Sequence, residues 1–263
     1  MQPKPAHLGE TYASQFSDPS VVAAYRYRPA YPDAVFPLLT DLMVAQPGAV
    51  LDLGCGTGDI ARRLAPLVAR LDAVDISAPM LALGKSLPGG DHPRLRWIAG
   101  KAEEVALVPP YALVTAGESI HWLDWARLFP RLRAALAPGG MIAIVERRYT
   151  PGPWDDPAMQ ALIDHFSTNR DYQHYDIVDE IARRGLFALR GERLTTPFAV
   201  RQPLSEYVEC FHSRNGFSRE RMAPDEAAAF DCALSELMLP RTSGGLLTLQ
   251  VAAHLRWGEP LAP

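Results

Sequence analysis

Three glycines stand at alternating positions in the segment Val50-Leu51-Asp52-Leu53-Gly54-Cys55-Gly56-Thr57-Gly58-Asp59. Lacking Cβ atoms, they permit a tight turn and a close approach of backbone to a ligand, which larger side chains would obstruct. The apolar run Val50 to Leu53 leads into the glycines, and an amphipathic run from Ile60 to Val68 leads out. A helix beginning near Asp59 would aim its free N–H groups at the crevice outside the strand ends, where open α/β sheets bind ligands. Seventeen residues past Gly58, Asp75 ends a second strand-like run in AVDIS. A carboxylate there can accept both hydrogen bonds of a ribose diol. A dinucleotide fingerprint would place glycine at the sixth position counted from Gly54, whereas this chain has Asp59 there and Asp52 ahead of the loop. The spacing points away from NAD.

A second group of candidates lies downstream. Gly117-Glu118 closes another apolar run and leads into Ser119-Ile120-His121-Trp122. His121 can orient a substrate, accept a proton near neutral pH, or simply pack or cap a helix, and all three readings stand. Trp122 can exclude water from a pocket or serve in ordinary packing. Residues 151–180 are irregular and rich in aromatics, histidines and aspartates, and read as a cap bordering a site. Candidate substrate contacts are His165, Tyr172 and His174 in that cap and Tyr207, Phe211 and His212 beyond it. Phe166 and Tyr175 add aromatic surface, and Arg147, Arg148, Arg201 and Arg214 could meet an acid. Packing and a solvated basic rim are the alternative for all of these. Cys55, Cys210 and Cys232 are far apart and no HExxH occurs, so no metal is expected, and Cys55 reads as a small packing residue.

The elements that must position these residues follow from the apolar pattern. Asp18-Pro19 caps a short helix over 18–27, and Val35, Leu38, Leu39, Leu42 and Met43 mark a helix from Asp33 to about Ala45. Strand, loop and helix then alternate: LDAVDI, PMLALGKSL, LRWIA, YALVTAG, ARLFPRLRAAL, MIAIVER. Such alternation predicts a mainly parallel sheet covered by helices. Residues 187–201 return to strand-like alternation, 204–212 and 225–239 are helical in pattern, and LLTLQVAAHLRW ends the chain as a long strand suited to antiparallel insertion. At 263 residues the chain can bury a full core without disulfides or metal. A net charge of −4 supplies no general field for nucleic acid. The N-terminus lacks an apolar signal region, and no apolar run approaches the ~18–20 residues that span a bilayer, so a soluble, cytoplasmic protein is expected.

In combination, DLGCGTG, VDIS, GKAEEV, TAGESIHWLD and APGGMIAIVER make the chain resemble the class I S-adenosylmethionine-dependent methyltransferases, over roughly residues 25–150. The resemblance is to the small-molecule group that includes ubiquinone-type and trans-aconitate-type enzymes. It implies a Rossmann-like seven-stranded, mostly parallel sheet with helices on both faces and the last strand antiparallel, plus an N-terminal helical segment and a cap over the active site. One methyltransferase domain would span 1–263: a cofactor-covering segment over 1–32, the cofactor core over 33–150, the cap over 151–180, and sheet completion over 181–263 with substrate-side helices in 204–239.

By the same resemblance S-adenosylmethionine lies across the strand ends, leaving as S-adenosylhomocysteine. Gly54, Cys55, Gly56 and Gly58 lie beneath it, Asp52 places the methionine amino group, Asp75 holds the ribose, and Ile76 and Met80 pack against the ligand. Ala102 and Glu103 border the adenine. The family's usual aspartate before that alanine is Lys101 here, which leaves the adenine acceptor open. Gly117, Glu118 and Trp122 approach the methionine end, Arg28 pairs with its carboxylate and Tyr27 lines the methyl path, the alternative for YRYRPAYP being a surface helix. The implied reaction is methyl transfer to an oxygen, nitrogen or carbon of a small molecule, by positioning and desolvation, with His121 assisting. The alternatives are methylation of RNA or protein, a non-catalytic cofactor-binding regulator, and, more weakly, a NAD-dependent oxidoreductase. Neither nucleic acid nor membrane is expected as a partner, and monomer and homodimer stay equally open.

Overall fold

Apolar runs too short for helices and buried on both sides dictate the centre of the molecule. The computed structural model describes residues 4–150, 152, 155–173 and 176–261. Among these, eight strands form one sheet: β1 (Ala49–Leu53), β2 (Arg70–Asp75), β3 (Leu95–Ala99), β4 (Tyr111–Gly117), β5 (Leu136–Thr150), β6 (Phe187–Leu194), β7 (Phe198–Pro203) and β8 (Leu246–Pro260). Their order is β3-β2-β1-β4-β5-β8-β6, with β7 also paired to β8. β1 to β5 pair in parallel, and β8 is antiparallel to its neighbours.

The expected count of seven strands is corrected to eight, although the sheet has only seven positions. β6 pairs with residues 254–260 of β8 and β7 with residues 246–251, so the two lie end to end along one long partner. At the break, Thr195 donates its N–H to the Ala253 carbonyl and accepts the Ala253 N–H on Oγ1, keeping the ladder satisfied where the strand is interrupted.

Helices cover both faces, as they must when parallel strands are apolar on both sides. On one face α3 (Val35–Asp41) and α4 (Asp59–Leu64) bury Phe36, Leu39, Ile60 and Leu64 against β1, β2 and β4. α3 ends at Asp41, before the expected Ala45, because the Gln46 side chain donates to the Thr40 carbonyl and Met43 N–H closes a turn onto the same group. On the other face α6 (Trp125–Ala135) turns Trp125, Leu128, Phe129 and Leu132 inward at helical spacing. α8 (Ile177–Arg183) joins it through Ile177, Val178 and Ile181.

A third apolar cluster lies beyond the sheet's β7 side, where α7 (Pro157–Phe166), α9 (Leu204–Phe211) and α10 (Pro224–Met238) pack around Phe211, Phe217 and Phe230. The segment read as one cap over 151–180 is therefore divided, α7 contributing to this cluster and α8 to the sheet core. Along the chain's start, α1 (Glu10–Ala13) and α2 (Pro19–Ala24) are tied to the loop after α9. Arg221 and Ser218 bond to Asp18, Asn215 donates to the Tyr12 carbonyl, and Gly216 N–H reaches the Gln15 side chain. α5 (Ala78–Ser86) follows β2, capped by Ser77.

One polar cluster is built into the strand layer. Asp72 of β2 is fully buried, accepts two 2.9 Å bonds from Arg96 and takes the Tyr111 hydroxyl at 2.6 Å. Replacing Asp72 with alanine strands that hydroxyl, and denaturant unfolding should show a loss of about 1–3 kcal/mol. Unchanged stability would mean the cluster is not coupled to folding.

Candidate functional site

The site begins where β1 turns into α4. Gly54, Gly56 and Gly58 all adopt left-handed φ angles of 58°, 55° and 76°, a conformation that side chains resist. A Cβ on Gly54 would fall 2.6 Å from Ser119 Cβ, and one on Gly58 would meet the Trp97 ring at 2.4 Å. At Gly56 the nearest atom is Tyr25 Cε1 at 3.6 Å, so a Cβ there would meet only ordinary contact. The loop is fixed from both sides, by Cys55 N–H on the Val74 carbonyl and by the Ser119 hydroxyl on the Leu53 carbonyl.

Asp75, at the end of β2, receives the Gly56 and Ser77 N–H groups, each at 2.7 Å, one on each carboxylate oxygen. Burial nevertheless holds its pKa above the ordinary carboxylate value. Asp52 lies deeper, bonded at 2.7 Å to the Thr115 hydroxyl, and burial pushes it up to about 7, the nearby Asp75 and Asp59 adding to the effect.

Above the loop lies a cavity of about 1080 Å³. Asp52, Gly54, Cys55 and Gly56 form its floor. Asp75, Ile76 and Met80 form one wall and Ala102 and Glu103 another. Gly117, Glu118, Trp122 and Arg28 close the end beyond β4. Ile76 is 57% exposed, an apolar side chain left open to a cavity rather than packed. The Tyr31 hydroxyl is buried with no hydrogen-bond partner among the described residues, close to where a Gly117 side chain would sit. Glu103 accepts the Asp124 N–H. Lys101, standing where the family usually has aspartate, pairs with Glu10 of α1 at 3.0 Å and so ties the N-terminal segment across the rim.

The far end of this cavity is shared with a second one of about 810 Å³, bounded in common by Phe16, Tyr25, Arg28, Glu118, Trp122 and Arg147. Glu118 has the left-handed φ of 52°, rare for a side-chain residue, at the point where β4 gives way to this shared wall. Arg147 donates to Glu118, to Asp59 at 2.7 Å and to the Pro29 carbonyl at 2.7 Å, and stacks 3.7 Å over the Tyr31 ring. Together with Arg28 it holds the Glu118 carboxyl below its ordinary pKa. Arg28 is itself held by two bonds to Ser213.

His121, Tyr172 and Phe211 line the second cavity. Burial lowers the His121 pKa to about 4, so its imidazole is neutral at physiological pH. Other expected contacts do not reach either cavity. The Gly58 turn is covered by Trp97, and Tyr27 lines neither cavity, its carbonyl accepting from the Gln202 side chain, while Tyr25, two residues earlier, takes the cavity wall. His165 is exposed on α7 against Phe166, and Tyr207 packs on Phe211 in the third apolar cluster. His212 is 0% exposed, bonded to the Phe217 carbonyl and to Asp231, which Arg219 also pairs. That is a structural histidine. His174 lies outside the described residues. Tyr25 and Tyr31 were present in the YRYRPAYP string, but only the turn of the N-terminal segment decides which of its tyrosines face inward.

Residues 50–140 match a family model described as a methyltransferase domain. The chain is 34% identical over 131 residues to trans-aconitate 2-methyltransferase of Azoarcus sp. (strain BH72), covering 44% of this chain and 50% of that one. It is 32% identical over 175 residues to the trans-aconitate 2-methyltransferase of Paracidovorax citrulli (strain AAC00-1), covering 60% and 64%. It thus spans half of the first relative's length and less than two thirds of the second's. Among solved structures, a candidate type II methyltransferase from Anaeromyxobacter dehalogenans superposes with a TM-score of 0.62 at 26% identity, over 88% of this chain and 97% of that one. The chain shares its fold with these methyltransferases, and residues 50–140 match a methyltransferase domain. No helix among the described residues is long and apolar enough to cross a membrane.

In the unfolded chain His121 takes its proton near the ordinary value of 6.5, in the folded chain only near 4. Its contribution to stability is therefore intact above 6.5 and falls as pH drops toward 4. An NMR titration should find the His121 ring neutral down to about pH 5. A midpoint near 6.5 would show that the ring is solvated.

Proposed function

We propose that the chain transfers a methyl group from S-adenosylmethionine to an oxygen, nitrogen or carbon of a small molecule. The observation that carries this reading is the pair of cavities meeting at the end of β4: one floored by open backbone and buried carboxyls, the other lined with aromatic and cationic groups. A non-catalytic cofactor-binding protein would need no second chamber beyond the first. The N-terminal segment lines both cavities through Leu8, Phe16, Tyr25 and Arg28, which favours a small acceptor over RNA or protein.

The residues present fit the cofactor. Gly56 leaves room for a ligand against backbone, Asp75 keeps lone pairs for a ribose diol beyond its two N–H partners, and Ile76 offers an apolar face to a base. The unpartnered Tyr31 hydroxyl and the Arg28 guanidinium stand where a carboxylate could be received. When bound, S-adenosylmethionine supplies an electrophilic methyl on a sulfonium sulfur, which takes the bonding pair as the acceptor's lone pair forms the new bond.

The chain's own contribution is alignment and dryness. Phe16, Tyr25 and Trp122 exclude water at the shared wall, where holding two reactants in line replaces a bimolecular encounter. His121, neutral and lining the acceptor side, can hydrogen-bond the nucleophile. Its low basicity suits orientation better than proton storage. A proton lost by the acceptor passes to solvent or to this ring transiently.

Two expected outcomes follow. Asp75→Ala should weaken S-adenosylhomocysteine binding by about 1–3 kcal/mol in calorimetry, the range for removing a hydrogen-bonded partner from a buried polar group. Unchanged affinity rejects the ribose role. Asp52, pushed up to about 7 without ligand, should ionise when a ligand ammonium arrives. Ligand affinity should then be full well above that value and fall roughly 25-fold between pH 7.5 and 5.5, as protonation of the free protein competes. A flat profile would remove Asp52 from the amino-group site.

A further inference from the structure

The arginines around the second cavity are not equivalent. Arg28 is engaged by Ser213 and Glu118, Arg147 by Glu118, Asp59 and the Pro29 carbonyl, and Arg148 by Glu146. Arg170 donates to the carbonyls of Asp164 and His165. Arg214 differs. Every aspartate and glutamate of the chain is among the described residues, and none of them forms an ion pair with it. Its Nε is buried without a hydrogen-bond partner. What holds the side chain is aromatic: the guanidinium lies 4.6 Å from the Phe211 ring centroid and 5.5 Å from that of Tyr149.

Glu118 acts on Arg214 only through longer-range attraction, so this half-buried guanidinium has no paired anion, and the fold holds it by stacking. Its planar fork matches a carboxylate, which can accept two parallel N–H bonds. Arg214 lines the second cavity and not the first, so an anion seated on it lies away from the cofactor chamber. The same cavity is bordered by Glu118, Glu146, Asp155, Asp164 and Asp176. Those carboxylates disfavour a dianion such as a phosphate ester more than a singly charged acid.

We infer that the methyl acceptor is a small carboxylic acid anchored through its carboxylate by Arg214, with the methylated atom elsewhere on the same molecule, nearer the wall formed by Glu118 and Trp122. The inference rests on the methyl-transfer reading for the second half of that statement, while the anion site stands on Arg214 alone. Aromatic walls at Tyr149 and Phe211 suit a planar skeleton around the carboxylate.

The test is binding of matched pairs to the full chain, with and without S-adenosylhomocysteine: benzoate and benzamide, cinnamate and cinnamamide, succinate and succinamide, with phenyl phosphate as the dianion. At least one carboxylate should bind tenfold or more tightly than its amide, and phenyl phosphate more weakly than benzoate. Arg214→Gln should bring carboxylate affinity down to the amide level, a loss of about 10- to 100-fold, and leave S-adenosylhomocysteine affinity within twofold. Arg214→Lys, which keeps the charge but not the fork, should retain a reduced preference for carboxylate and guards against misfolding of the glutamine variant. The proposal is overturned if no carboxylate outbinds its amide, if the preference survives in Arg214→Gln, or if phenyl phosphate binds best. Failure of S-adenosylhomocysteine to bind at all would instead remove the methyl-transfer reading, while the carboxylate-to-amide ratio would still report on Arg214.

Discussion

The arrangement depends on one contact, the hydrogen bond from Gly56 N–H to the Asp75 carboxylate across the ends of β1 and β2. It holds the glycine turn open in a left-handed conformation and, in the same stroke, fixes a buried acid at the cavity edge. Burial disfavours charge on Asp75, and two backbone donors offset part of that cost, which leaves a carboxyl primed for further donors. The neighbouring Asp52, bonded to the Thr115 hydroxyl, is pushed up to about 7 by burial, with the charges of Asp75 and Asp59 adding to the effect.

A second constraint closes the site. Arg147, on β5, gathers Glu118 from β4, Asp59 from the start of α4 and the Pro29 carbonyl from the N-terminal segment into one buried set. Breaking any member leaves the others with unmatched charge in a low-dielectric setting, so the sheet ends and their cover are held as a unit. The N-terminal segment is also pinned outward, its Asp18 accepting from Arg221 and Ser218 of the loop after α9. A cover attached at both sheet and cap can enclose two chambers at once, which is what in-line transfer between two ligands requires.

Much of this was legible in the sequence, for local reasons. Glycines at 54, 56 and 58 and an acid at 75 carry their meaning in spacing, because a strand, a turn and a helix of ordinary length bring them together. The alternation of strands and helices gave the sheet, and LLTLQVAAHLRW its antiparallel strand. What was not legible depends on long-range partners. His212 has a polar context in ECFHSRNGF, yet Asp231, nineteen residues later, makes it structural. Tyr27 and Tyr25 are indistinguishable as types, and the short helical turn over 25–27 alone selects Tyr25 for the cavity. The split of β6 from β7 arises at Thr195, whose hydroxyl substitutes for a backbone group. Arg214 was one arginine among several until its neighbours' carboxylates were found to be engaged elsewhere.

The most direct measurement is a crystal structure of the full chain with S-adenosylhomocysteine. The account requires ligand density over residues 54–58, both ribose hydroxyls on Asp75, and the sulfur directed toward the wall shared by the two cavities. Density lodged elsewhere, or a sugar turned away from Asp75 with the glycine loop collapsed onto Tyr25, would contradict it.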